Sequence, residues 1–173
     1  SDIGSEKGNV LIGSQQGDIQ VEAGREEEQL ASASKSVSRG RFGLSKTTEI
    51  RRHEHDIAQS VSSNIDGKTV NLIAGQGNVT VQGSNVVGEN GLTVQAKNID
   101  IKEAENKVYS EDFHSKKKSG VLGGGLGVTF GAQKQTLESD KTKFYAQGSQ
   151  VGSLNGNTTL IAKNHYTQTA SQV

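Results

Sequence analysis

The segment Leu72-Ile73-Ala74-Gly75-Gln76-Gly77-Asn78-Val79-Thr80-Val81 decides the fold class of this chain. It contains two short apolar runs separated by Gly and Asn, which is typical of strands joined by a tight turn. A similar segment occurs at 11–21 with one more residue in its turn, and a third, without the glycines, occurs at 160–169. Because the remaining apolar residues also alternate with polar ones in short runs, the chain is predicted to be overwhelmingly β.

The sequence also contains a longer internal duplication. Three pairs of short motifs recur at an offset of 88 residues, namely Phe42-Gly43 with Phe130-Gly131, Ala58-Gln59 with Ala146-Gln147, and Leu72-Ile73-Ala74 with Leu160-Ile161-Ala162. A β unit of about twenty residues cannot bury its own apolar face, but copies can stack with strands about 4.8 Å apart. The pattern therefore predicts an all-β, right-handed parallel β-helix. A β-sandwich or barrel is the alternative, although it would need more than the 4% aromatic residues present.

Composition excludes several classes of function. The 173 residues contain 19 Lys plus Arg and 19 Asp plus Glu, and this balance argues against nucleic-acid binding driven by net charge. Without Cys the chain has no disulfide, no thiol chemistry and no Cys-ligated metal. No apolar run approaches the roughly 20 residues of a membrane-spanning helix. We expect no cofactor and no small-molecule substrate.

Two polar, charged stretches interrupt the repeating pattern, at residues 31–62 and 105–147. Alternation persists within them, so each is interpreted as a β-hairpin-like excursion packed on the flank of the solenoid. The simplest role of such an excursion is to cover exposed strand surface. The whole chain, 1–173, is then one segment of a longer protein, with rungs at 1–30, 63–104 and 148–173.

The second excursion contains a glycine-rich run, residues 120–131, that suggests a contact surface. Alternation places its apolar side chains on one face and leaves the other face nearly bare, as in a strand that crosses a bilayer. Three lysines precede the run and could bind anionic headgroups. The predicted membrane- or partner-contact residues are Val121, Leu122, Leu126, Val128, Phe130, Lys116, Lys117 and Lys118. The alternative is a glycine-rich loop beside a solvated charge run.

Catalytic and metal-binding patterns are weak in this sequence. The acidic residues cluster at 26–28 and at Glu103 and Glu105, without the recurrence on successive rungs that an active cleft would need. His53-Glu54-His55 would place both imidazoles on one face of a strand, but no third ligand is identifiable. The glycine-rich run lacks the Lys-Ser/Thr ending of a phosphate-binding loop. We therefore predict no enzyme and no metal site.

The order of several motifs resembles the haemagglutinin repeat of large bacterial exoproteins, the filamentous-haemagglutinin and CdiA-type proteins exported by two-partner secretion from Gram-negative bacteria. The motifs are Ile101-Lys102-Glu103-Ala104-Glu105-Asn106, Lys117-Lys118-Ser119-Gly120, Gly123–Lys134, Gly148–Leu154 and Tyr166-Thr167-Gln168-Thr169. The first copy departs from the pattern, since Arg39-Gly40-Arg41-Phe42-Gly43-Leu44 replaces the glycine cluster. A membrane role of the first excursion is correspondingly less supported.

The resemblance implies a secreted or cell-surface segment of a β-helical filament used in contact-dependent toxin delivery. Its implied partners are the outer-membrane secretion transporter of the producing cell and the envelope or a receptor of the target cell. An adhesin that binds host glycan or matrix is the alternative, and a carbohydrate-active β-helix enzyme is a further one. A glycan site would use Lys116–Lys118 and Arg51-Arg52, whose charge is diluted by neighbouring acidic residues such as Glu49 and Asp112.

Overall fold

The computed structural model describes residues 1–40, 44–122 and 129–173, with only the backbone at 121, 122, 129 and 130. These residues form strands, turns and bends without a helix, which confirms the all-β prediction. No helix of sufficient length and apolarity to span a membrane is found in the described part. The strands are β1 Asp2–Ser5, β2 Val10–Ser14, β3 Ile19–Glu22, β4 Gly24–Arg39, β5 Ser45–Val61, β6 Asn64–Ala74, β7 Val79–Gln82, β8 Asn85–Lys102, β9 Ala104–Leu122, β10 Thr129–Gln147, β11 Gln150–Ser153 and β12 Asn157–Gln168.

The described chain divides into two compact units. The first consists of Ser1–Glu26, Ala58–Asn106 and Phe144–Val173, and the second of Glu27–Ile57 and Lys107–Lys143. Each unit is therefore assembled from segments that are distant in sequence.

The first unit is built on an eight-stranded sheet, and its strand pairings among the described residues are all parallel. Strands β1, β2 and β3 form one rung, β6 and β7 the second, β8 the third, and β11 and β12 the fourth. Each rung pairs with the one before it in sequence. Stacked parallel rungs are thus present, as the twenty-residue repeat predicted.

Apolar side chains of successive rungs form columns in the core of this unit. Ile19 pairs with Val79 and Val79 with Ile99, and all three side chains are buried. Three further columns are Val10-Val70-Leu92, Val21-Val81-Ile101 and Ile12-Leu72-Val94-Leu160, in which only the end residues Ile12 and Leu160 are partly buried. Because each column uses alternate residues of a strand, a narrow core can be filled by few apolar residues.

The structure corrects the register expected between the first two rungs. The sequence similarity matched Leu11 with Leu72, but Ile12 lies opposite Leu72, and Val10 opposite Val70. Leu11 points outward and is 69% exposed. The match was wrong by one residue because similarity of letters does not reveal which residues face inward, and a shift of one residue reverses the face.

A column of buried serines stands where each rung begins. Ser63, Ser84 and Ser149 are all buried. The backbone N–H of Ser84 donates to Oγ of Ser149 at 3.2 Å, and that hydroxyl donates to the carbonyl of Lys102 at 2.8 Å. These bonds satisfy backbone groups that the turn removes from water. The motif recurs as Ser1-Asp2-Ile3, Ser63-Asn64-Ile65, Ser84-Asn85-Val86, Ser149-Gln150-Val151 and Ser171-Gln172-Val173.

Side-chain amides form similar stacks beside the serines. Nδ2 of Asn85 donates to Oδ1 of Asn64 at 2.9 Å, and Nδ2 of Asn64 donates to Asp2 at 2.8 Å. Just before β7, Oδ1 of Asn78 accepts a hydrogen bond from Nδ2 of Asn98, which lies on β8, at 2.6 Å. The polar stacks therefore join the same rungs that the apolar columns join.

Four long strands form a second sheet in the order β10-β9-β5-β4. Only a few residues connect β4 to β5 and β9 to β10, too few for a parallel crossover, so each pair is an antiparallel hairpin. The side chain of His53 meets Asp112, and that of Glu49 meets His114. Since residue numbers rise on β9 as they fall on β5, the two hairpins are also joined in antiparallel fashion.

We expect the buried column to carry the stability of the first unit. Leu72→Ala should lower the free energy of unfolding by about 2–5 kcal/mol, because it leaves a cavity between Ile12 and Val94. Leu11→Ala is the matched control and should change it by less than about 0.5 kcal/mol, because Leu11 is exposed. Urea denaturation of both variants measures the difference, and equal losses would contradict the assigned register.

Candidate functional site

The second unit contains a polar cluster where β5 and β9 meet. Nδ1 of His53 lies 2.5 Å from Oδ1 of Asp112. Nε2 of His114 lies 2.8 Å from Oε1 of Glu49, and Nη2 of Arg51 donates to the same oxygen at 2.6 Å. This cluster, formed by Glu49, Arg51, His53, Asp112 and His114, is called the β5–β9 cluster below.

Strand geometry explains why these side chains meet. Glu49, Arg51, His53 and His55 are alternate residues of β5 and therefore share one face of the sheet. The rings of His53 and His55 stack with centroids 6.2 Å apart and planes 9° apart, which confirms that the two imidazoles share a face. The cluster thus forms because alternate residues of β5 lie on one face and because β5 pairs with β9.

The electrostatics of the cluster centre on Glu49. The hydrogen bond from Arg51, followed by the one from His114, lowers the pKa of the Glu49 carboxyl below its ordinary value of 4.5. The Glu49 side chain is 25% exposed, whereas Arg51 is 66% exposed and Asp112 is 67% exposed. Ion pairs at such exposures contribute little to stability individually, so the importance of the cluster lies in which strands it joins.

A shallow depression of about 510 Å³ lies over the cluster. Its lining includes Ser32, Ser34 and Ser139 as well as Arg51 and His53. Each imidazole of the β5–β9 cluster has a carboxylate as its hydrogen-bond partner, and no serine–imidazole bond is found among the described residues. The hydrogen bonds of the cluster therefore connect β5 with β9.

Three carboxylates also approach one another on β9 and β10. One oxygen each of Glu111, Glu138 and Asp140 lies within 4.8 Å of the others. The hydroxyl of Tyr109 donates to Glu111 at 2.9 Å, and this bond raises the pKa of Tyr109 to about 12. Sequence analysis did not identify this group, because only the register of the second hairpin brings the residues together. The hairpin itself, with its short glycine-rich connection, is the signal that could have revealed it.

The structure describes only some of the residues that were predicted to contact a membrane or partner. Lys116, Lys117 and Lys118 lie on β9 and are exposed. Leu126 and Val128 lie outside the described residues, as do the side chains of Val121, Leu122 and Phe130. The contact surface therefore stays a prediction from the sequence.

Two of the basic residues considered for glycan binding, Arg51 and Arg52, have partners within the second unit. Arg51 pairs with Glu49, as described above. The guanidinium of Arg52 lies 5.2 Å from the centre of the Phe113 ring, a cation–π distance. Both side chains thus have partners on neighbouring residues of the sheet.

Comparison with known proteins identifies the family. The family model described as Hemagglutinin repeat matches residues 44–173, three quarters of the chain. The chain belongs to the hemagglutinin-repeat family. This confirms the resemblance found in the sequence. The second, third and fourth rungs and three of the four strands of the second sheet lie within the matched residues.

Relatives of this hemagglutinin repeat occur in much larger proteins. It is 40% identical to the tRNA nuclease CdiA of Yersinia mollaretii over 69% of the chain, and 36% identical to the 16S rRNA endonuclease CdiA of Enterobacter cloacae over 84% of the chain. The matches cover only 4% and 5% of those relatives. The nuclease names therefore describe whole proteins of which this repeat corresponds to a small part. No solved structure matches the chain.

The lowered pKa of Glu49 predicts acid sensitivity of the hairpin junction. A carboxyl with a lowered pKa in the folded state stabilises that state above pH 4.5, and this stabilisation is lost as the pH falls through the lowered value. Glu49→Gln should therefore reduce the loss of stability between pH 5 and pH 3, measured by urea denaturation at each pH. Glu54→Gln is the control, because it removes one carboxylate from the same strand outside the β5–β9 cluster. A Glu49→Gln profile equal to that of the parent would contradict the assignment.

Proposed function

We propose that this hemagglutinin repeat is a segment of a right-handed β-helical filament in a large secreted or cell-surface exoprotein of a Gram-negative bacterium. The observation that carries the proposal is the constant register of the parallel rungs, in which Ile12, Leu72, Val94 and Leu160 form one column. A column of this kind can be continued by any further repeat with the same pattern. The right-handed sense is the one that parallel crossover connections strongly favour.

The physical role of such a segment is that of a stiff spacer. Backbone hydrogen bonds between parallel rungs run along the direction of stacking, and each rung adds about 4.8 Å. Buried serines and stacked amides reinforce the same direction. A solenoid therefore gains length in proportion to its sequence, and it does so without a large core.

Within the parent protein we assign the repeat to contact-dependent toxin delivery. Support comes from the names of its relatives, which are nucleases or, in Yersinia pestis, a toxin. In this role the repeat would pass through the outer-membrane secretion transporter of the producing cell and would act at the envelope of the target cell. The chain itself contributes reach and a contact surface, and the nuclease activity belongs to other parts of such proteins.

The proposed contact surface is the glycine-rich run of the second hairpin. Its support is the alternation of Leu126, Val128 and Phe130 in the sequence, together with the exposed lysines at 116–118. An adhesin that binds acidic glycans has less support, because Arg51 and Arg52 already have partners. A glycan array with the purified chain tests that alternative directly, and specific hits would favour it.

The membrane contact can be tested with aspartate substitutions in the glycine-rich run. Changing Leu126, Val128 and Phe130 to Asp should abolish flotation of the chain with liposomes that contain anionic lipid, because three carboxylates would have to enter the apolar layer. Thr129→Asp is the matched control on the alternate face and should reduce flotation only slightly. In the parent exoprotein, the triple variant should lower killing of target cells while surface display is unchanged. Flotation equal to that of the parent would exclude this surface.

A further inference from the structure

The two outer strands of the second sheet are unusually long for exposed edges. β4 and β10 contain 16 and 19 residues, and each has one neighbour in the described part of the sheet. Proteins usually keep an exposed edge short or cover it, because its free backbone N–H and C=O groups can pair with another strand. These two edges therefore present a row of hydrogen-bonding groups that a further strand could use.

Apolar exposure in the second unit is concentrated on these edges. Leu30 and Val37 on β4 are 58% and 47% exposed, and Leu137 on β10 is 67% exposed. In contrast, Ile50 on the inner strand β5 and Val108 on the inner strand β9 are half-buried. Pairing of another strand with β4 or β10 would cover side chains that are now in water.

The inner junction of the sheet shows what kind of strand fits the edge. β5 is the second strand of the first hairpin, and β9 is the first strand of the second hairpin. Their junction is antiparallel and places the β5–β9 cluster across it. β10 is again a second strand and β4 a first strand, so the same kind of junction can form between β10 of one molecule and β4 of another.

Charge on the two edges agrees with one antiparallel register. A pairing that sets Lys143 of β10 opposite Glu28 of β4 also places Glu138 diagonally across from Lys35. These four side chains are all exposed. Opposite charges at directly opposed and diagonal positions stabilise antiparallel pairs.

We propose that β10 of one copy of this chain pairs with β4 of a second copy, and that the copies thereby continue the β10-β9-β5-β4 sheet. The interface is heterologous, because each copy offers a different edge to its two neighbours. Such an interface generates open-ended assemblies and not closed dimers. This inference goes beyond the spacer role proposed above and does not depend on membrane contact.

Cysteine cross-linking provides a direct test, since the chain contains no cysteine of its own. Directly opposed residues have Cβ atoms about 4.5–5.5 Å apart, close to disulfide geometry. A mixture of the Glu28→Cys and Lys143→Cys variants should form a mixed disulfide under mild oxidation, and each variant alone should form little. Absence of the mixed disulfide at concentrations where the chain associates would overturn the proposal.

A second cysteine pair distinguishes this interface from stacking of the first unit end to end. Gln20 on β3 and Thr167 on β12 are exposed and belong to the first and fourth rungs. The Gln20→Cys and Thr167→Cys mixture would therefore report rung-on-rung association. Cross-linking of this pair without cross-linking of the Glu28→Cys and Lys143→Cys pair would refute pairing through the edges.

Charge reversal tests the register. Lys143→Glu should weaken association about fivefold, measured by sedimentation velocity, because it sets two carboxylates against each other. The double variant Lys143→Glu with Glu28→Lys should regain the affinity of the parent chain, since the edges are complementary again. Both positions are exposed, so folding should be retained. A chain that stays monomeric at all concentrations, or a double variant that stays as weak as the single one, would contradict the proposal.

Discussion

The first unit depends on one constraint, the fixed register between parallel rungs. Alternate residues of a strand face opposite ways, so a slip of one residue would move every inward Val, Ile and Leu of a rung into water. Ile19, Val79 and Ile99 lie in one buried column because that register holds. This explains how a chain with 31% hydrophobic residues forms an ordered core.

Apolar columns alone would not fix the turns, where backbone groups leave the sheet. The buried serines supply that part, since Ser63 donates to the carbonyl of Glu22 and Ser149 to that of Lys102. Stacked amides, such as Asn85 on Asn64, add directional bonds that a slipped register would lose. The apolar and polar columns thus specify the same alignment independently, and agreement of this kind is what selects one structure over its neighbours.

The sequence predicted features that depend on local pattern and missed those that depend on pairing. Strands and their inward residues follow from alternation, and Val79 and Val81 of the quoted segment are both buried. The contact of His53 with Asp112 joins residues 59 positions apart, and nothing in either strand alone indicates the partner. The serine column could have been found in the sequence, because Ser followed by Asn or Gln and then Val or Ile recurs. A search for apolar periodicity overlooks this motif.

Two histidines of the second unit form hydrogen bonds that join neighbouring strands. His53, His114 and Arg51 each contact a carboxylate, and Glu49 and Asp112 are thereby occupied in joining two hairpins. In a repeat protein, stability and assembly arise from interfaces between neighbouring copies. The hydrogen bonds of His53 with Asp112 and of His114 with Glu49 lie at such an interface, because they join the first hairpin to the second.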